Sequence, residues 1–171
     1  WTRTVRTSPS TTATERAVSG YGFSFELFPP RTPEGVAKLP DTVRKLASVG
    51  PKYFSVTYGA GGSEQNGTYD TVMTVVRETG VEAAPHLTCV GSTREKISAL
   101  LAQYQAAGVK RIVALRGDLP ATAMGSSAPG EFRYANELVE FIRKTHGNTF
   151  RIEVAAYPEA HPQTPDPDAD F

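Results

Sequence analysis

The chain has 171 residues, enough for one domain with a real core, and its 18 lysines and arginines balance 18 acids. That neutrality gives no footprint for nucleic acid or an anionic membrane surface, and no apolar run approaches the roughly 20 residues that span a bilayer. The single cysteine, Cys89, excludes an internal disulfide and suits a reducing, cytoplasmic setting.

Residues 1–20 are rich in Thr, Ser and Arg, hold one acid (Glu15) and show no apolar periodicity. They read as a flexible N-terminal arm, with a composition that an organelle transit peptide shares. The first strand is expected over residues 21–27, dense in aromatics and stopped by Pro29 and Pro30. A carboxylate, Glu26, sits inside it. Burying that group is costly unless it is paired or protonated, so it either faces water on a half-exposed strand or does chemistry. Further apolar strand-like runs follow at 53–58, 81–89, 109–115 and 149–157, spaced by about 30 residues, the length of a βαβ unit.

Amphipathic segments lie between them. Leu39, Val43, Leu46 and Ala47 form one stripe, ended by Gly50 and Pro51, and Val72, Val75, Val76 and Thr79 form another, ended by Gly80. For the third, Ser92 is the expected N-cap with Glu95 completing a capping box, Ile97, Leu100, Leu101 and Tyr104 the stripe, and Gly108 the C-terminal cap. Ala135, Leu138, Val139 and Ile142 make the fourth.

Alternating strands and helices with short links predict an α/β chain with a parallel sheet. Neither G-x-G-x-x-G after the first strand nor G-x-x-x-x-G-K-[ST] occurs, so the (β/α)8 TIM-barrel type is favoured over a nucleotide-binding open sheet. Here it is truncated to about five strands and four helices over residues 21–159. Residues 160–171, rich in Pro and Asp, read as a tail. Polar and Gly-rich residues gather after each strand, the face where barrel sites form.

Five stretches, in order, resemble one family. They are Phe25-Glu26-Leu27-Phe28-Pro29-Pro30, Ser55-Val56-Thr57-Tyr58-Gly59-Ala60-Gly61-Gly62-Ser63, Pro85-His86-Leu87-Thr88-Cys89, Ala114-Leu115-Arg116-Gly117-Asp118, and Val154-Ala155-Ala156-Tyr157-Pro158-Glu159 with His161 and Pro162. Together they resemble methylenetetrahydrofolate reductase, a flavin-dependent barrel, over its N-terminal half or slightly more. The resemblance implies that Glu26 is the acid that protonates the folate substrate. It implies that Asp118 is a second catalytic carboxylate, near the flavin and the folate. Thr57, His86, Leu115, Arg116, Gly117, Asp118, Tyr134, Ala135, Ala155, Tyr157 and His161 would line FAD. Hydride would pass from NADH or NADPH to FAD and on to folate, giving 5-methyltetrahydrofolate. Three positions depart from the family pattern: Leu27 stands where an aromatic is usual, Glu64 and Gln65 replace a Thr-Arg pair, and Leu119 replaces a proline.

The residue chemistry agrees with these roles. A general acid working near neutral pH needs burial, which Phe23, Phe25, Leu27 and Phe28 are expected to supply around Glu26. Arg116 either holds a diphosphate or pairs with Asp118. Other readings stay open: His86 as a core histidine, His146 as a helix C-terminal contact, Cys89 as an apolar filler, Tyr134 as helix packing. The three histidines and Cys89 lack metal-ligand spacing, so no metal is expected. Alternatives for the whole chain are an inactive half-barrel that binds flavin at most and pairs with another copy, or a folate-dependent demethylase of the same fold. Unpaired sheet edges predict a homo-oligomer.

Overall fold

A computed structural model describes residues 22–58, 65–118 and 130–156. The N-terminal arm, the tail at 160–171, the glycine-rich loop from Gly59 to Ser63, Glu64, Leu119, Tyr157 and His161 lie outside the described residues. Within them the elements alternate: β1 (Phe25–Leu27), α1 (Pro33–Ala47), β2 (Phe54–Val56), α2 (Gln65–Thr79), β3 (Ala83–Thr88), α3 (Arg94–Ala106), β4 (Arg111–Leu115), α4 (Ala135–His146) and β5 (Arg151–Val154). The five strands and four helices are those expected, but every strand is shorter than its apolar run. Aromatic and branched residues beside the strands are retained for packing against helices and do not all join the ladder. Phe23, before β1, sets its ring edge-on to Phe25 at 5.6 Å.

Local chemistry fixes the helix ends. Thr32 caps α1, its hydroxyl accepting the Gly35 N–H at 3.1 Å, and Pro33 opens the first turn, where its missing N–H costs nothing. The expected Ser92 cap of α3 is corrected to Thr93, whose hydroxyl accepts the Lys96 N–H at 3.3 Å. Ser92 is buried instead, its N–H donating to the Cys89 carbonyl and its own carbonyl accepting from the Glu131 N–H. Gly108 follows α3 with φ +79°, as a C-terminal glycine should.

All four strand pairs are parallel, in the order β1-β2-β3-β4-β5. Register and alternation sort the side chains onto two faces. Phe54, Val56, Ala83, Leu87, Ile112 and Ala114 face the helices and merge with Val43, Val72, Val75, Ile97, Leu101, Leu138 and Ile142 into one buried cluster. Glu26, Ser55, Ala84, His86, Thr88, Arg111, Val113, Leu115, Arg151 and Glu153 take the other face, the interior of a barrel of this type. Much of that inner face is polar, which an open sheet covered on both sides by helices would not tolerate.

Candidate active site

The strand C-terminal ends carry the expected site residues. On β1, Glu26 points to the inner face, with its side chain 52% exposed. Phe25 and Leu27 take the helix side, and Phe28 is 74% exposed beyond the strand. The apolar surroundings expected for Glu26 are therefore corrected: alternation puts its strand neighbours on the opposite face. Its neighbour across the sheet is His86 of β3. The imidazole Nε2 stands 3.6 Å from Glu26 Oε2, and the His86 side chain is only 12% exposed. Burial pushes His86 below its ordinary basicity, and the Glu26 carboxylate opposes that push. The ring is neutral near pH 7. Two inner-face residues of β2 lie between the two strands, Ser55 in register with Glu26, and Thr57 beyond it. Both are small, which leaves room for the longer side chains to meet.

Thr57 is pinned at the end of β2. Its N–H donates to the Leu27 carbonyl at 2.9 Å, and its carbonyl accepts from the Thr68 hydroxyl at 2.9 Å. At the end of β4, Leu115 pairs with Thr88 on the inner face. Arg116 directs Nε to the Gly117 carbonyl at 3.2 Å. Gly117 has φ +84°, and a Cβ there would stand 2.9 Å from Thr88 Cβ, so only glycine lets β4 leave the sheet this close to β3. Asp118 follows, exposed, at the same end of the sheet. Cys89 is fully buried behind the site, its thiol pushed up by burial and directed at the Arg116 and Tyr134 carbonyls, 3.7 and 3.5 Å away. It ties the ends of β3 and β4 to the start of α4.

Tyr134 occupies the N-cap position of α4 and is 60% exposed, and Ala135 opens the helix. Glu137 reaches back to the N–H groups of Arg133 and Tyr134 at 2.5 and 3.3 Å, which holds that carboxylate below its usual range. Ala155 is exposed just past β5. The structure thus gathers Glu26, Thr57, His86, Leu115, Arg116, Gly117 and Asp118 at one end of the sheet. Ser55 and Thr88, on the same face, lie within the motifs but were not singled out as site residues; strand alternation was the signal that places them there.

A second polar group lies deeper on the inner face. Arg111, 10% exposed, donates Nε to Glu82 at 3.0 Å, pairs with Glu153, and stacks its guanidinium 4.3 Å from the Tyr53 ring centre. Arg151 stands 3.9 Å from the same Glu82. A cleft of about 360 Å³ opens near it, lined by residues including Lys110, Arg143 and Phe150, at the strand N-terminal end and away from Glu26. Arg143 there is already used by the Gly147 and Phe150 carbonyls.

A flavin presents ring acceptors and a diphosphate, so it needs donors and close backbone approach. The Thr57 hydroxyl, the Arg116 guanidinium and the glycine turn at Gly117 supply such a set at one mouth, and these residues fit the group. Among the described residues there is no cluster of three or more metal-ligating side chains, and no helix is long and apolar enough to cross a membrane.

Comparison with known proteins adds to this geometry. Residues 13–171 match the family model described as methylenetetrahydrofolate reductase. The chain is 44% identical over 148 residues to the 5,10-methylenetetrahydrofolate reductase of Salmonella typhimurium, covering 86% of this chain and 48% of that protein. The Escherichia coli protein of the same name is 43% identical over the same shares. Methylenetetrahydrofolate reductase (NADH) 1 of Arabidopsis thaliana is 40% identical over 82% of this chain and 24% of its own length. The chain spans about half the length of the bacterial relatives it matches.

Proposed function

The chain belongs to the methylenetetrahydrofolate reductase family, and on that premise we propose that it acts in the flavin-dependent reduction of 5,10-methylenetetrahydrofolate to 5-methyltetrahydrofolate. The observation that carries the reading is the position of Glu26. It is a half-exposed carboxyl on the inner face, at the mouth shared with Thr57, His86, Gly117 and Asp118. Glu26 is the general acid, placing a proton on a nitrogen of the folate so that the methylene bridge opens. Asp118 is a second carboxylate at the same mouth, in contact with flavin and folate. Thr57, His86, Leu115, Arg116 and Gly117 hold FAD from the strand ends, with Tyr134, Ala135, Ala155, Tyr157 and His161 completing its pocket. Bound FAD supplies hydride transfer between the nicotinamide and the folate carbon. The plant relative's name favours NADH as the reductant.

The domain reading carries over as residues 1–20 an arm, 21–159 the partial barrel and 160–171 a tail. A cytoplasmic setting is supported by the lone buried Cys89. Self-association into a homo-oligomer is favoured by the two strands that pair on one side only among the described residues, β1 and β5.

Glu26→Gln tests the assignment. It keeps the shape and removes the acid. Folate reduction is expected to fall by roughly a hundredfold or more, the usual worth of a positioned acid, while reduction of bound flavin by NADH continues. Loss of both steps together would make Glu26 a structural residue.

A further inference from the structure

We propose that His86 is the positioning residue of Glu26: its neutral imidazole gives the Nε2 proton to one carboxyl oxygen and so commits the other oxygen to the substrate. The proposal rests on the reading of Glu26 as the acid, and deepens it. The geometry that points to it is specific to this sheet. Glu26 and His86 are on strands that do not pair with each other, yet Nε2 and Oε2 stand 3.6 Å apart across β2. That is longer than a hydrogen bond, so the donation requires the two facing side chains to close by about half an ångström. The contact is possible because β2 places only Ser55 on that face and is followed by the small Thr57.

Two features select the donor role. The ring is buried and held neutral near pH 7, and a neutral imidazole donates from one nitrogen only. A carboxyl facing Nε2 in that state calls for the proton on Nε2. When Glu26 is protonated, Oε2 accepts from His86 and the acidic proton resides on Oε1. On transfer, that proton moves from Oε1 to the folate nitrogen, the O–H bond breaking as the N–H bond forms. The carboxylate left behind still accepts from Nε2. His86 thereby faces Glu26 as a donor on both sides of the transfer, with no change in its own proton count.

Among the described residues the charged groups around His86 are few. From β1 it faces Glu26; from β2, the uncharged Ser55 and Thr57; from β4, its register partner is the apolar Val113. Glu82 of its own connection, Arg111 of β4 and Glu153 of β5 lie deeper and bind one another, while Arg116 and Asp118 lie beyond the end of β4. Glu26 is therefore the carboxylate to which His86 answers.

The test needs no turnover. The side-chain nitrogen signals of the three histidines are followed against pH by NMR, in the protein and in its Glu26→Gln variant. The expected result is a neutral His86 protonated at Nε2, with a protonation midpoint that moves down when the Glu26 charge is removed. A midpoint unmoved by Glu26→Gln, or a neutral ring protonated at Nδ1, overturns the proposal. A second measurement compares the pre-steady-state folate step in the FAD-loaded protein. Compared at equal bound FAD, His86→Leu is expected to slow the step by about tenfold or more, and His86→Gln, which keeps an N–H donor near the Nε2 position, is expected to slow it less. Equal rates in the two variants also overturn it. If Glu26→Gln leaves folate reduction intact, the acid assignment falls, and the titration still reports whether the two side chains are coupled.

Discussion

Glu26 and His86 owe their meeting to alternation within strands as much as to register between them. One residue earlier or later on β1, the side chain would be Phe25 or Leu27 and would belong to the helix-facing core. The identity of both residues was legible in the sequence, through the motifs around them. Their pairing was not, because it depends on two strand registers and on the smallness of Ser55 and Thr57. The expectation that Phe23, Phe25, Leu27 and Phe28 enclose Glu26 failed for the same reason: nearness along a strand places alternate residues on opposite faces. His86 also gives a stability prediction. Its folded basicity is lowered from the ordinary value of 6.5, mainly by burial. As pH falls through that value the unfolded chain takes up a proton that the folded chain refuses, so stability drops with falling pH and levels off below the folded midpoint. Denaturant midpoints at pH 7.5 and 5.5 should show this drop, and the His86→Gln variant should lack it. An identical drop in the variant would assign the effect to other groups.

At the scale of elements, the inner face holds two polar layers with different duties. The upper one carries chemistry at the strand C-terminal ends. The lower one joins β3, β4 and β5 through Arg111, with Glu82 and Glu153 bound to its guanidinium and Tyr53 beneath it. Helices and their stripes were readable from spacing because burial of one face dictates a 3.6-residue period. This lower layer was not, because charged residues at strand starts look like ordinary solvated ends until the sheet curves and brings them together. Arg111→Leu is expected to destabilise the fold by about 1–3 kcal/mol. That is less than for a fully buried pair because Glu82 and Glu153 are 30% and 38% exposed, but well above a surface bridge. Urea denaturation of the two proteins at neutral pH measures the loss. A change below about 0.5 kcal/mol at neutral pH would class the cluster with ordinary surface pairs.

The whole molecule poses the problem of its edges. Among the described residues β1 pairs only with β2, and β5 only with β4, so each offers unpaired backbone groups along one side. Val154 on β5 is 59% exposed, and the inner face leaves half of Glu26 in water. A barrel removes both liabilities by closing, at about 250 residues and eight strands. Among the described residues the five strands form one sheet in which β5 does not pair with β1. Pairing between copies satisfies the same groups. Light scattering of the chain is therefore expected to show a mass above 18.4 kDa that rises with concentration. Replacing Val154 with Lys, a charge on the exposed edge, should shift the balance back toward monomer at little cost in folding, because the side chain is already in water. A monodisperse 18.4 kDa species at all concentrations would show that the edges are satisfied within one chain. An association untouched by Val154→Lys would place the contact elsewhere, with the β1 edge the next surface to charge.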